Sequence, residues 1–396
     1  MKRILFILLA CLMAFGLFTG CGSGGDGQPA TNPPEIEWSN TFGDSDEEEG
    51  ANFIQQTSDG GYILAGWTLL PGVGAWDFWL LKIDAEGEEE WSKTIGGPND
   101  ERAASIQETA DGGYIVVGGT DSYGLGDWDF WVVKTDENGE EQWKKTFGGP
   151  DGDIAFSVQQ TTDGGYIVAG WTMSYVAEAW DFWLVKTDVA GEREWSKIFG
   201  GAGDDGAFCV QQTCDGGYVV AGGTESYGAG GEDCWIIKTD DRAGEEWNKT
   251  FGGVDDDAAL SVQQTSDGGY IIAGWTKSYG AGGEDFLIVK TNDMGEEEWS
   301  QTFGGSNNDR ASFVQQTADG GYIVAGATES YGEGRQDCWI VKIDSTGEKE
   351  WSETFGGAAN EAALCVRPTS DGGYIVAGWT ESYGEGGWDV WVIKLK

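Results

Sequence analysis

The chain has 396 residues, among them 67 Gly, 21 Trp and only 7 Pro, and its 68 Asp+Glu against 23 Lys+Arg give a formal charge of -45. Such a charge repels phosphate backbones and excludes a nucleic-acid partner. The lack of any histidine excludes Ser-His-Asp triads, Cys-His dyads and His-based zinc or iron sites.

Lys2 and Arg3 give a positive start, and residues 4–18 are almost wholly apolar yet too short to span a membrane comfortably. Residues 1–20 therefore read as a signal peptide. The run ends in Phe18-Thr19-Gly20-Cys21, which resembles the lipobox of prokaryotic lipoproteins, with Phe18 where that motif usually has Leu. The resemblance implies lipidation of Cys21 and an extracytoplasmic protein of the cell envelope, held at a membrane by its lipid alone. The alternative is an ordinary secretory signal cut nearby. Residues 22–34 (GSGGDGQPATNPP) form a flexible polar tether. The organisation is thus signal peptide 1–20, tether 21–35 from Cys21, and folded body 36–396.

The body is one repeat. Asp-Gly-Gly-Tyr starts at Asp59, Asp111, Asp163, Asp215, Asp267, Asp319 and Asp371, each step being 52 residues. The third copy reads as four strands: 154–161, 166–172, 181–187 and 194–199. A tight turn at Asp163-Gly164-Gly165, where glycine tolerates positive φ, joins the first two. Apolar residues on both strand faces fit sheets stacked face to face. A β-rich period of this length predicts an all-β, seven-bladed β-propeller of four-stranded blades. The seventh copy stops after its third strand, at 391–396, while an orphan fourth strand, 36–42, opens the body. The first segment is therefore expected to complete the last blade and close the ring, leaving no free sheet edge.

The pattern DGGYIVAGWT, DFWLVKTD, GEEEWSKTFGG resembles the secreted prokaryotic β-propeller repeat families and is similar to quinoprotein-like and WD-type propeller repeats. Lys134 to Trp143 is similar to the tryptophan-docking motif of quinoproteins. The resemblance covers 36–396. It implies the fold and little about activity, because fold does not dictate function.

Comparison among the copies separates scaffold from site. Trp38, Trp91, Trp143, Trp195, Trp247, Trp299 and Trp351 recur in the fourth strand; Trp79, Trp131, Trp183, Trp235, Trp339 and Trp391 recur in the third. These thirteen read as inter-blade packing. The Asp opening every third strand reads as a loop cap accepting backbone hydrogen bonds. Eight tryptophans break the symmetry. Trp67, Trp171, Trp275 and Trp379 end the second strand in alternate copies; Trp76, Trp128, Trp180 and Trp388 precede the third-strand Asp in consecutive copies. The latter four are expected to form one arc, opposite a polar arc of Glu232, Glu284 and Gln336.

Strand order puts the long loops, with Tyr123, Tyr175, Tyr227, Tyr279, Tyr331 and Tyr383, on one face with acidic blade-to-blade loops. Those loops carry Asp44, Asp46 to Glu49, Asp100-Glu101, Asp151, Asp153, Asp204-Asp205, Asp255 to Asp257, Asp309 and Glu361. Aromatic platforms beside carboxylates suit a glycan or peptide, so Trp76, Trp128, Trp180, Trp388, Tyr123, Tyr175 and Tyr383 are the candidate ligand-binding residues. The alternative is that these rings fill the loops' own small cores. No cofactor is expected, although clustered Asp and Asn admit calcium without any complete D-x-D-x-D-G loop. Cys209, Cys214, Cys234, Cys338 and Cys365 read as small buried residues with room for one disulfide.

The leading expectation is a binding or scaffold protein with a glycan or protein partner, rather than an enzyme. The alternatives are a carboxylate enzyme acting on polysaccharide, a quinone-dependent dehydrogenase and a purely structural surface protein. Sialidase-type S-x-D-x-G-x-x-W boxes and adjacent cysteines are absent from the sequence.

Overall fold

A computed structural model of the chain describes residues 33–43, 49–69, 75–175, 179–385 and 387–396. The signal peptide, Cys21, most of the tether, and Asp44 with Asp46 to Glu48 lie outside the described residues.

Seven four-stranded antiparallel sheets form a seven-bladed β-propeller. Blade three runs through strands a (Asp153–Gln160), b (Tyr166–Thr172), c (Asp181–Thr187) and d (Arg193–Phe199). The middle strands fall where the sequence places them. Strand a begins and ends one residue earlier than expected, because Asp153 already pairs with Thr172 while Thr161 belongs to the turn. Strand d of blade seven is Ile36–Phe42, paired antiparallel to Asp389–Leu395, so the chain's first strand closes its last blade.

The turn sequence Asp-Gly-Gly uses its two glycines for different reasons. Gly164 sits at φ 87, open to glycine at no steric cost. Gly165 has no such φ; a Cβ there would strike the carbonyl oxygen of Thr187. Thr161 Oγ1 and Gly165 N both donate to Asp163 Oδ1, at 2.6 and 3.0 Å. Lys186 is buried beneath this turn and bridges Asp163, at 3.0 Å, to Glu194 of strand d, at 3.1 Å. The same lysine recurs in every blade, from Lys82 to Lys394.

Both faces of each blade are covered, so strands b and c are buried along most of their length, and in blade three throughout Tyr166–Thr172 and Asp181–Thr187. The strand-d tryptophans meet the strand-b tyrosine of the next blade, as in Trp143–Tyr166, with centroids 5.8 Å apart. Trp183 of strand c lies 4.6 Å from Phe130 of the preceding blade. Burying such rings contributes roughly 2–3 kcal/mol each. The five described cysteines are all free thiols, so the expected room for a disulfide is unused. Four of them are buried apolar fillers; Cys214 is exposed.

Candidate functional site

Strand a of each blade lines the axial tunnel. A register shift in every strand a, between Ala155 and Ser157 in blade three, inserts one extra residue. The bulge residues Ala104, Phe156, Phe208 and Leu260 cluster with Ile154 and Trp171 into an apolar belt along blades two to five, while the bulges of blades one and six carry Asn52 and Ser312.

Above this belt lie the symmetry-breaking tryptophans. Trp388 stacks on Trp379 at 5.1 Å, and Trp67 meets both Trp388, at 6.1 Å, and Trp76, at 4.5 Å. Trp180 meets Trp171 at 5.4 Å, and both pack with Trp128 on the belt. Arg102 joins the two groups: its guanidinium covers Trp76 at 5.2 Å and shares with Trp128 a cavity of about 20 Å³, the size of one water. The four tryptophans expected to form an arc are thus brought together through three further tryptophans. Their alternation has a steric reason. A Cβ on Gly50 would lie 2.6 Å from Trp67, and one on Gly119 would lie 2.6 Å from Trp128, so each ring fills space left by a small residue. The indole Nε1 atoms of Trp171 and Trp379, and Arg102 Nε, are buried at this mouth with no hydrogen-bond partner among the described residues.

The opposite arc is polar. Arg310 forks onto Glu284 and covers Trp275 at 5.4 Å, with Lys277 over the same ring at 5.3 Å. Glu232 occupies the space beside Gly223. Burial pushes its carboxyl up to about 7, reinforced by Glu225 and Asp256 and opposed by Lys277 and Arg310.

Tyr123, Tyr175 and Tyr383 do not join the tryptophan arc. Each packs on the strand-c tryptophan of its own blade: Trp131 at 5.5 Å, Trp183 at 5.3 Å and Trp391 at 5.2 Å. Their hydroxyls donate to the carbonyls of Gly96, Gly148 and Gly356 in the preceding blade, at 3.1, 2.6 and 2.8 Å. Tyr227, Tyr279 and Tyr331 do the same, so this contact is a repeated inter-blade tie. Tyr175 and Tyr383 remain about half exposed at 48% and 44%.

Many acids assigned to the loop surface are instead interior. Glu49, Glu101, Asp153, Asp205, Asp257, Asp309 and Glu361 open strand a and are buried. Asp153 takes hydrogen bonds from Ser174 Oγ and Gly149 N, at 2.6 and 2.9 Å. The acid before it in sequence order also works for the fold: Asp100 accepts from Trp76 N and Asp204 from Trp180 N. The strand-c Asp caps its loop as expected, Asp129 accepting from Leu125 N at 2.8 Å. It also faces the buried strand-a acid of the next blade. Burial first, and then Glu101 and Asp205 respectively, raise Asp77 and Asp181 to about 6, and Asp129 is raised likewise by burial and Asp153. These carboxyl pairs were not anticipated from the sequence.

Among the described residues no group of three or more His, Cys, Asp or Glu is placed to hold a metal ion. A cleft of about 590 Å³ opens on the other face between blades three and four, lined by Asp163, Lys186, Glu194 and Asp215. These residues recur in the other blades, so the cleft is a seam of the repeat.

The fold and this tunnel mouth define a closed propeller with an aromatic, partly polar entrance. Among solved structures the chain is similar to the Neurospora crassa Pan2 WD40 domain, at TM-score 0.53 and 12% identity over 86% of this chain and 88% of that one. It is also similar to BBS1N in complex with ARL6DN, at TM-score 0.50 and 10% identity over 91% and 96%. A third likeness is to the β-propeller domain of the Trilobed protease from Pyrococcus furiosus, at TM-score 0.48 and 8% identity over 87% and 93%. At such identities the first two likenesses speak for the propeller fold alone. No protein-family model matches the chain, and no curated protein matches it.

Proposed function

We propose that the protein is an extracytoplasmic, lipid-anchored binding or scaffold protein that holds a glycan or peptide at the aromatic mouth of its axial tunnel. The observation that carries this reading is the contiguous row Trp379–Trp388–Trp67–Trp76, continued by Trp128, Trp171 and Trp180, with buried indole N–H groups left unpaired. Flat aromatic surfaces bind the apolar faces of sugars and side chains, and unpaired donors orient polar groups. Tyr123, Tyr175 and Tyr383 stand apart from this row as inter-blade ties, so the reading rests on the tryptophans. The lipobox-like Cys21 and its tether would set this mouth free of a membrane surface.

The test is a glycan and peptide array, with calcium titration, on residues 33–396 beside a Trp76/Trp128/Trp180/Trp388→Ala variant. Binding lost in a folded variant supports the reading; binding unchanged in the variant defeats it.

A second reading is a carboxylate enzyme acting on polysaccharide, favoured by Glu232, whose carboxyl is raised to about 7 at the same mouth. It requires hydrolysis that Glu232→Gln abolishes while binding persists.

A further inference from the structure

Below the apolar belt, strand a carries a ring of glutamines: Gln55, Gln107, Gln159, Gln211, Gln263 and Gln315. Each Oε1 of the first five accepts the strand-a N–H of the next blade, as in Gln160 N to Gln107 and Gln316 N to Gln263, both at 2.6 Å. Blade seven alone departs, reading Arg367-Pro368 where the others read Gln-Gln or Gln-Glu. Pro368 has no N–H to give Gln315. Arg367 Nη1 supplies the donor instead, at 3.2 Å.

The Arg367 guanidinium lies between two rings, 5.0 Å from the centroid of Phe53 and 4.7 Å from that of Phe313. Both phenylalanines stand where the other blades have Ser or Cys, so they and Arg367 together break the tunnel's symmetry at one place. Arg367 is 5% exposed, and among the described residues its Nε and Nη2 have no nitrogen or oxygen partner, the guanidinium's further contact being a weak hydrogen bond with the neutral Cys365 thiol. These two atoms form one edge of the guanidinium, the edge that grips an anion with two parallel hydrogen bonds. The ionisable groups facing it are the buried thiols of Cys365 and Cys209, both held neutral because burial raises them. A guanidinium does not shed its proton to escape burial. A buried charge without a counter-ion is strongly unfavourable.

We propose that the axial tunnel binds one small monovalent anion, a carboxylate or halide, on the Nε–Nη2 edge of Arg367. Phe53 and Phe313 wall the site, and Gln315 holds the opposite side of the guanidinium through Nη1. Entry is from the lower end, where Gln159, Gln263 and Gln315 are partly exposed. In a chain of charge -45 this is an anion site that surface electrostatics would not suggest.

Every strand among the described residues, and the ring closure, lies within residues 36–395, so residues 33–396 are the unit for the test. Thermal unfolding is followed while sodium formate, and separately sodium chloride, replaces sodium gluconate at constant ionic strength. The expected result is a saturable rise in Tm of about 3 °C. Arg367→Gln, which restores the residue of the other six blades, removes that rise. The stronger of the two responses identifies carboxylate or halide. Equal salt responses in the wild type and the variant overturn the site. Independently of the variant's folding, crystals of the wild type grown in sodium bromide, and separately in sodium bromoacetate, place an anomalous bromine peak beside the Nε–Nη2 edge in at least one of the two; its absence from both also overturns the proposal.

Discussion

Trp391 Nε1 donates to Ser39 Oγ at 2.8 Å, so a side chain ties the end of the sequence to its beginning across 352 residues. The two strands also pair through their backbones, from Phe42 with Val390 to Ile36 with Leu395. Removing residues 33–42 would expose the edge of Asp389–Leu395 and uncover Tyr62, which packs on Trp38 at 6.1 Å. The expected outcome is a Tm at least about 10 °C lower with concentration-dependent aggregation, since several kcal/mol of burial are lost together. Differential scanning calorimetry with light scattering checks it. An unchanged Tm would mean that the ring holds without its closing strand.

Ala243 has φ 58 and stands where the other blades have glycine, such as Gly139, Gly191 and Gly295. A non-glycine residue there costs about 1 kcal/mol. Ala243→Gly should therefore stabilise the protein by about 0.5–1 kcal/mol. The urea midpoint of the variant, with its slope unchanged, is the measurement. A lower midpoint would show that the buried Ala243 methyl contributes more packing than it costs in backbone strain.

The carboxyl pairs between blades set the sign of the pH dependence. Burial raises the strand-c aspartates, with Asp77, Asp129 and Asp181 reaching about 6 from the usual 3.8. The folded protein thus holds these protons more tightly than the unfolded chain. Their contribution is full below about 3.8 and is lost as pH rises through about 6. The turn aspartates run the other way. Burial alone would raise Asp371, but hydrogen bonds from Thr369, Lys394 and Gly373 bring it down to about 2, so its contribution is lost only in strong acid. Tm should accordingly be higher at about pH 5 than at about pH 8, and Asp129→Asn should flatten the difference. A Tm that increases across that interval would contradict the pairing.

Thiol chemistry checks the buried cysteines. Burial raises Cys209, Cys234, Cys338 and Cys365, while Cys214 is exposed. Residues 33–396 should therefore react with one equivalent of a thiol reagent when native and five when unfolded, and show the same gel mobility with or without reductant. Fewer than five reactive thiols in denaturant would indicate a disulfide.

The fold was legible because the period of 52 residues repeats so closely that any one copy reports on the others. The site was legible only in part. Trp76, Trp128, Trp180 and Trp388 were marked by breaking the repeat, and they do converge on one mouth. The loop acids misled: Asp153 and Asp205 look like surface charge in sequence, yet they are fully buried at strand a, where Ser174 and Ser226 donate to their Oδ2 atoms. Arg367-Pro368 carried a signal too, as the one departure from the glutamine pattern, but only the convergence of strands on an axis gives it a meaning.

What the sequence determined by itself was local and repeated: strand periodicity, glycine at the turns, the recurring tryptophans and the displaced strand that demands closure. Those follow from backbone sterics and from burying both faces of a sheet. The tertiary structure alone decided which residues of different blades face one another. Asp77 of strand c meets Glu101 of the next blade's strand a because neighbouring blades pack face to face, and Arg367 lies between Phe53 and Phe313 because the ring brings strands a together around one axis. That convergence turns scattered charges into buried pairs and scattered indoles into one surface, and no spacing along a single chain encodes it.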